Sequence, residues 1–534
     1  MNAVRCPLLH WPSLGLALCL GLGCVPSAQT LPPADIVPIT LLHLNDVYQI
    51  TPMGQGRVGG LARVATLRKQ ILSEAPHTLT LFAGDTLAPS VESSSQVDGK
   101  TLKGQQMIDA WNALGVDFAV PGNHEFDFGD DVLRERMHES HFPWLAANVF
   151  DNHTGRPFEG LLPYKLVEIA GVKVGLFGLL VPETEVSSSV SPDTNIRDIC
   201  PTAIPVVSRL RALGATVIIA LTHLEVEQDR ELARCAPVDV IVGGHEHVHI
   251  EDRSTGVPIF KVAADAVELG RITLDVDGHT GKVRKVDWRV YPVTDAIPDE
   301  PSFVEAMRKY APLIAELSER VGSTQVPLDA RKLAVRTQET NLGSLVADAL
   351  RQAAGTDVAL VNAGAIRGDT IFPAGELTRR EMLSIFPYPD QLLKLQVPGA
   401  MLQAALENAV SKSEDLGDPP GRFLQVSGLR FAFDPSRPKG QRVLCVTVAG
   451  KPLAPAASYS VATPGFIASG KDGYEMFRGL PSTPALSGGH TPRDVLSSAL
   501  RSGKPPPMQQ GDGRIQRLQG AMAPGSECAP SASR

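Results

Sequence analysis

A chain of 534 residues has room for more than one domain at about 100–200 residues each, and enough apolar material for buried cores. Hydrophobic residues at 43% and charged residues at 20% exclude wholesale disorder. With 50 Lys and Arg against 58 Asp and Glu, the formal net charge is −8. That balance argues against a general binder of nucleic acid polymers or anionic membranes, so an anionic substrate has to be held by local cations.

Residues 1–28 read as a signal peptide: Arg5, an apolar stretch from Leu14 to Val25, then the small residues Ser27 and Ala28. The apolar part is short for a membrane span, so no transmembrane segment is expected once it is removed. The expected location is exported, periplasmic or extracellular. Leu20-Gly-Leu-Gly-Cys24 loosely resembles a lipoprotein cleavage site, which keeps a lipid anchor open beside release. Outside this leader, Cys200, Cys235, Cys445 and Cys528 show no zinc-finger or CxxC spacing. Cys200 and Cys235 are the pair best placed for a disulfide, and buried free thiols are the other reading.

From 36 to 298 the sequence alternates β-rich runs with helical stretches, as in a layered α/β domain. Strands are expected at 39–44, 78–82, 118–120, 172–177, 217–221 and 238–242, with helices at 61–74, 105–114, 203–213 and 227–235. Residues 299–320 read as a charged amphipathic linker helix. A second α/β segment follows over 321–518. It has helices at 342–354 and 399–410, strands at 358–361, 443–448 and 459–462, and a polar Gly/Pro-rich loop at 411–421. Residues 519–534, rich in Ala, Pro and Ser, read as a disordered tail.

Polar residues of one kind recur just after the expected strands. Asn45-Asp46 follows the first, Gly84-Asp85 the second and Gly122-Asn-His-Glu125 the third; Thr222-His223 and Gly243-Gly-His-Glu-His247 follow two later ones. Ligands collect at the carboxyl edge of such sheets. A two-metal hydrolase needs a bridging carboxylate between cations roughly 3.5–4 Å apart, with His, Asp or Asn completing each shell. Asp46, Asp85, Asn123, His223, His245 and His247 supply that donor set, and imidazole with carboxylate suits Zn, Mn or Fe. His43, His138, His141, His153 and His249 are read as ordinary structural or surface histidines.

This ordered set resembles the calcineurin-like metallophosphoesterases, and the second half resembles the C-terminal domain of secreted 5′-nucleotidases. The resemblance implies a four-layer α/β/β/α sandwich, a helical linker and a second α/β nucleotide-binding domain. It implies two divalent metal ions with Asp85 as the bridge, Asn123, His223 and His245 serving one, and Asp46 and His247 the other. His124, paired with Asp127, would stabilise charge on the phosphoryl group while metal-bound hydroxide attacks. The sequence departs from the family at Tyr48, where Asp-x-His is usual. A phenolate there could ligate a hard trivalent ion such as iron. The favoured expectation is that Tyr48 only packs or hydrogen-bonds, which leaves that metal with one ligand fewer.

In the second half, Asn362-Ala-Gly-Ala-Ile-Arg367 resembles the nucleotidase NGGxxR element, and Arg336 aligns with another arginine of that pocket. Phe466-Ile-Ala-Ser-Gly-Lys-Asp472-Gly-Tyr474 resembles the F-x-x-x-G-G-D-G-[YF] element, in which the Phe stacks on the base and the Asp binds ribose hydroxyls. Here Lys471 replaces a glycine, and the family's second stacking aromatic falls near Leu392, with Tyr388 close by. The expected activity is phosphate removal from nucleoside 5′-monophosphates or related nucleotides. The alternatives are a UDP-sugar pyrophosphatase or 2′,3′-cyclic-nucleotide phosphodiesterase on the same site, and a non-catalytic nucleotide-binding surface protein.

Overall fold

The computed structural model describes residues 35–414, 419–502 and 511–518. The expected signal peptide (1–28) and tail (519–534) lie outside the described residues. In the first strand, Ile36–Leu44, the side chains of Ile39 and Leu41 enter one apolar layer and those of Leu42 and Leu44 another. That period of two means the strand is buried on both faces, as strands between layers must be. Val217–His223 does the same: Val217, Ile219 and Leu221 face the first layer, Ile218 and Ala220 the second.

Two sheets follow from this pattern. One has seven strands, with Ile36–Leu44 between Glu268–Asp277 and Thr78–Phe82. The other has six, built around the parallel run Val172–Leu180, Val217–His223, Val240–Gly243 and Ile259–Lys261. Their inner faces share one core, which includes Ile39, Leu41, Leu81, Val174, Leu176, Ile219, Val242 and Phe260. Helices Leu61–Glu74 and Gln105–Leu114 cover the outside of the first sheet, and Ile199–Ala212 and Val226–Cys235 the outside of the second. The result is the α/β/β/α sandwich. The helix expected at 203–213 begins four residues earlier, at Ile199, because Pro201 sits in its first turn, where no N–H is needed.

Parallel register brings the strand ends level. Leu44 lies opposite Phe82, Leu180 opposite His223, and Thr222 opposite Gly243. Every motif noted above therefore leaves its sheet at the same edge. The choice left open for the cysteines is settled: Cys200 and Cys235 form a disulfide with Cα atoms 6.0 Å apart, tying the two outer helices of the second sheet.

Residues 299–320 are not one helix. Pro301–Ala306 and Ala311–Leu317 are separate short helices joined by a 3₁₀ turn at Arg308–Tyr310. Pro312 opens the second helix and cannot donate back to the first. Phe303, Met307, Tyr310, Leu313 and Leu317 are buried in the core of the first half. The second half is also α/β. A five-stranded sheet in the order Leu424–Ser427, Val358–Asn362, Ser458–Pro464, Leu392–Pro398, Ser482–Pro484 is covered by helix Asn341–Ala354. A separate four-stranded sheet lies beside it.

Where the halves meet, helix Arg379–Ile385 of the second lies on the first. Leu383 packs on the first core, and Arg380 donates to Glu92, to Gln49 Oε1 at 3.3 Å and to Thr51 Oγ1 at 3.2 Å.

Candidate metal centre and substrate pocket

Asp46 and Asp85 follow adjacent parallel strands, and both take left-handed backbone conformations, with φ of +53° and +66°. Those turns bring their carboxylates together with His223, so that donor atoms of Asp46, Asp85 and His223 all lie within 4.8 Å of one another, buried. Asp85 Oδ2 is 3.3 Å from His223 Nε2, and His223 Nε2 is 3.3 Å from His245 Nδ1. Asp46 Oδ1 is 3.1 Å from His247 Nε2. Tyr48 Oη stands 3.1 Å from Asp85 Oδ2 and 3.1 Å from His247 Nε2. Tyr48 thus hydrogen-bonds to Asp85 beside His247, in keeping with the favoured expectation for it.

The glycines of these motifs are a steric requirement. A Cβ on Gly122 would lie 2.0 Å from Asp85 Oδ1, and one on Gly244 would lie 2.3 Å from the Ala83 carbonyl oxygen. His223 Nδ1 donates to that same carbonyl at 2.7 Å, which leaves Nε2 free to face the carboxylates. Asn45 clamps its neighbour: its Nδ2 donates to Asp46 Oδ2 at 2.7 Å and to the Val262 carbonyl at 3.0 Å.

The cluster is short of positive charge. The buried Asn123 Oδ1 has no hydrogen-bond donor, and Asp46 Oδ1 has only the His247 ring nitrogen beside it. Burial would lower the pKa of His223, but Asp85 and Asp46 override it and push it up to about 10. Burial and the neighbouring His223 push His245 down to about 4. Carboxylates that hold a proton on one imidazole while the next stays neutral, beside an orphaned amide oxygen, form a donor set fitted to cations. At the rim, the His124 ring lies 2.7 Å from Asp127 through Nδ1, and its backbone N–H donates to Asp85 Oδ1 at 2.9 Å. Burial opposes protonation of His124, but the Asp127 bond and Asp85 prevail and raise it to about 9.

Several residues that hold this centre were not singled out from the sequence. Glu125 accepts from the backbone N–H groups of Asp85 at 2.8 Å, Thr86 at 2.6 Å, Leu87 at 3.2 Å and Gly122, joining two ligand loops. Its place inside Gly-Asn-His-Glu was the only signal. Asp265 accepts the Tyr48 N–H at 3.1 Å, and its own N–H donates to the Asp46 carbonyl at 2.8 Å. Lys261, buried, donates to the carbonyls of Leu224 at 2.6 Å and Gly244 at 2.9 Å and pairs with Asp229 at 2.8 Å, bracing the loops after His223 and before His245.

In the second half, Asn362 ends its strand with Nδ2 3.2 Å from Asp472 Oδ2, and its buried Oδ1 has no donor. Phe466 is 39% exposed, with Lys471 Nζ 5.3 Å from its ring centre. Gly470 and Asp472 take the left-handed positions of this turn, at φ of +92° and +54°, so Lys471 adds a cation without altering the turn. Leu392 is buried in the core and offers no stacking face, whereas Tyr388 is exposed and lies 5.5 Å beneath the Arg367 guanidinium. Arg336 donates to the Pro419 carbonyl at 2.9 Å.

Residues 39–249 match the model of calcineurin-like phosphoesterases, and residues 320–479 that of the 5′-nucleotidase C-terminal domain. Snake venom 5′-nucleotidase of Naja atra is 30% identical over 499 residues, covering 83% of this chain and 92% of that protein. The chain belongs to the 5′-nucleotidase family. The 5′-nucleotidase of Homo sapiens is 28% identical over 527 residues, covering 89% of each. The 5′-nucleotidase precursor of Thermus thermophilus superposes with a TM-score of 0.65 at 29% identity, over 90% of this chain and 99% of that one. The chain is accordingly a metal-dependent phosphoric ester hydrolase of the 5′-nucleotidase type, from a family that works with divalent metals. No helix among the described residues is long and apolar enough to cross a membrane.

Proposed function

We propose that the chain is an exported hydrolase of nucleoside 5′-monophosphates that works with two divalent cations. The observation that carries this reading is the buried meeting of Asp46, Asp85 and His223 donors within 4.8 Å, beside Asn123 Oδ1, which lacks a donor. Asp85 would be shared between the cations. Asn123, His223 and His245 would complete one seat, and Asp46 and His247 belong to the other. Bound there, the cations supply positive charge to the phosphoryl oxygens and acidify a water towards neutral pH. His124, kept protonated by Asp127, presents a further positive group at the rim for charge that builds on the phosphoryl group.

In this reading residues 36–298 carry out the chemistry and residues 321–518 select the substrate. Phe466 offers a ring to the base, Asp472 and Asn362 offer polar atoms to the sugar, and Arg367 and Arg336 lend positive charge. Tyr388, beside Arg367, is the exposed ring that stands in for the aliphatic Leu392. Export is supported by the leader sequence and by the Cys200–Cys235 disulfide, a bond typical of oxidising compartments.

The test is phosphate release from AMP, UMP, UDP-glucose and 2′,3′-cyclic AMP with added Mn or Zn. The 5′-monophosphates should turn over fastest. Asp85→Ala should abolish every activity, and Arg367→Ala should spare a simple aryl phosphate while losing AMP. Preference for UDP-glucose or the cyclic nucleotide would replace the substrate assignment. AMP turnover unchanged in Arg367→Ala would remove the argument for the pocket.

A further inference from the structure

We propose that Lys261 and Glu246 are positioning residues: together they hold the loop of His223 and the loop of His245 at the spacing a cation needs, although neither is a candidate ligand. The proposal rests on the two-cation reading above. His245 and His247 both have positive φ, at +89° and +59°. Residues with a Cβ avoid that backbone and keep it only where the surroundings fix it. Part of the fixing is done at the histidines themselves: the His245 N–H donates to Asp46 Oδ2 at 2.9 Å, and the His247 carbonyl accepts from the Ala264 N–H at 3.2 Å. The rest comes from Glu246 between them, whose carboxylate accepts from the Val226 N–H through Oε1 and from Lys261 Nζ through Oε2.

Lys261 ends the strand Ile259–Lys261, beside the strand Val240–Gly243 that leads into this turn. It is 1% exposed, and an ammonium so buried is tolerated only where its protons are taken. They go to Glu246, to the Gly244 carbonyl at 2.9 Å and to the Leu224 carbonyl at 2.6 Å, with Asp229 Oδ2 2.8 Å away. Leu224 follows His223, and Gly244 precedes His245. Two ties therefore join the loops, Lys261 to Leu224 and Glu246 to Val226, and the imidazoles those loops carry stand 3.3 Å apart, His223 Nε2 to His245 Nδ1. The fit is close: a Cβ on Gly243 would lie 3.0 Å from Lys261 Cε and 3.2 Å from Asp229 Oδ2. The sign of the effect separates this role from electrostatics. A fixed positive charge repels cations, so on charge alone its removal tightens metal binding. Loss of position does the opposite.

The full-length protein, its metals stripped with a chelator, is titrated with Zn by calorimetry, alongside Lys261→Met and the double variant Lys261→Met/Glu246→Gln, which restores the net charge of wild type. Thermal unfolding of each metal-free chain reports folding separately. Both variants should bind Zn about 10- to 100-fold more weakly, as is typical when a partner that orients a ligand is lost. At saturating Zn their KM for AMP should stay within about twofold of wild type. Binding as tight as wild type or tighter in Lys261→Met, or full recovery in the double variant, would overturn the proposal. So would failure of both variants to fold, which would assign the pair to the fold and not to the ligands. If wild type in any of these cases still hydrolyses AMP with Zn, the hydrolase reading survives. Wild type that binds no Zn and hydrolyses AMP with no metal would instead bring down the reading beneath.

Discussion

The candidate metal edge of the first half and the proposed nucleotide pocket of the second are built on opposite plans. Asp46, Asp85 and His223 are wholly buried, and each is locked by bonds to backbone or to a neighbouring side chain. Phe466, in the short helix Gly465–Ala468, and Tyr388, in a loop, are half exposed. Chemistry on phosphorus depends on charge fixed in place before the substrate arrives. Recognition of a base needs only a flat apolar face and nearby cations, and tolerates substitution. The two plans teach that one half should fail for all substrates together, the other substrate by substrate.

The sharpest way to break that contrast is Asp85→Ala, expected to lower turnover of nucleotides and simple aryl phosphates alike by more than about a hundredfold, since even outer partners of ligands cost 10–100-fold. Steady-state assays on both ester classes check it. Arg380→Ala tests the junction between the halves, because it leaves the buried Glu92 without its partner. About 3–5 kcal/mol of stability should be lost, read by denaturant unfolding. His124→Ala should lower kcat by roughly 10²–10³-fold with little change in KM, as expected for a group that acts on developing charge. Phe466→Ala should leave aryl phosphates untouched and raise KM for AMP about 5- to 150-fold, the equivalent of about 1–3 kcal/mol of stacking. Equal losses on both ester classes in Phe466→Ala would erase the contrast.

Much of the candidate metal edge was legible because each of its loops leaves a strand within a few residues, so short dipeptides after β-rich runs sufficed to mark it. The supports were not. Asp265 meets Tyr48 across 217 residues, and Arg380 meets Gln49 across 331. No local pattern encodes such contacts; they depend on how sheets and halves stack. The broken helix at 299–320 shows the other failure: its charge pattern suggested continuity, but Pro312 and the burial of Phe303 and Tyr310 decided otherwise. At Tyr48 the residue type was plain, and only the distances showed that its oxygen hydrogen-bonds to Asp85.

Glu125 touches none of the donor atoms, yet it fastens the loop of Asp85 to the loop of Asn123 through four amides. Two loops moored to one post drift together. The gap between the candidate ligands Asp85 and Asn123 is therefore set locally, insulated from insertions or repacking in the distant helices. Glutamine at this position would turn one acceptor into a donor facing amides, and the pair of loops would come adrift without the loss of a single ligand.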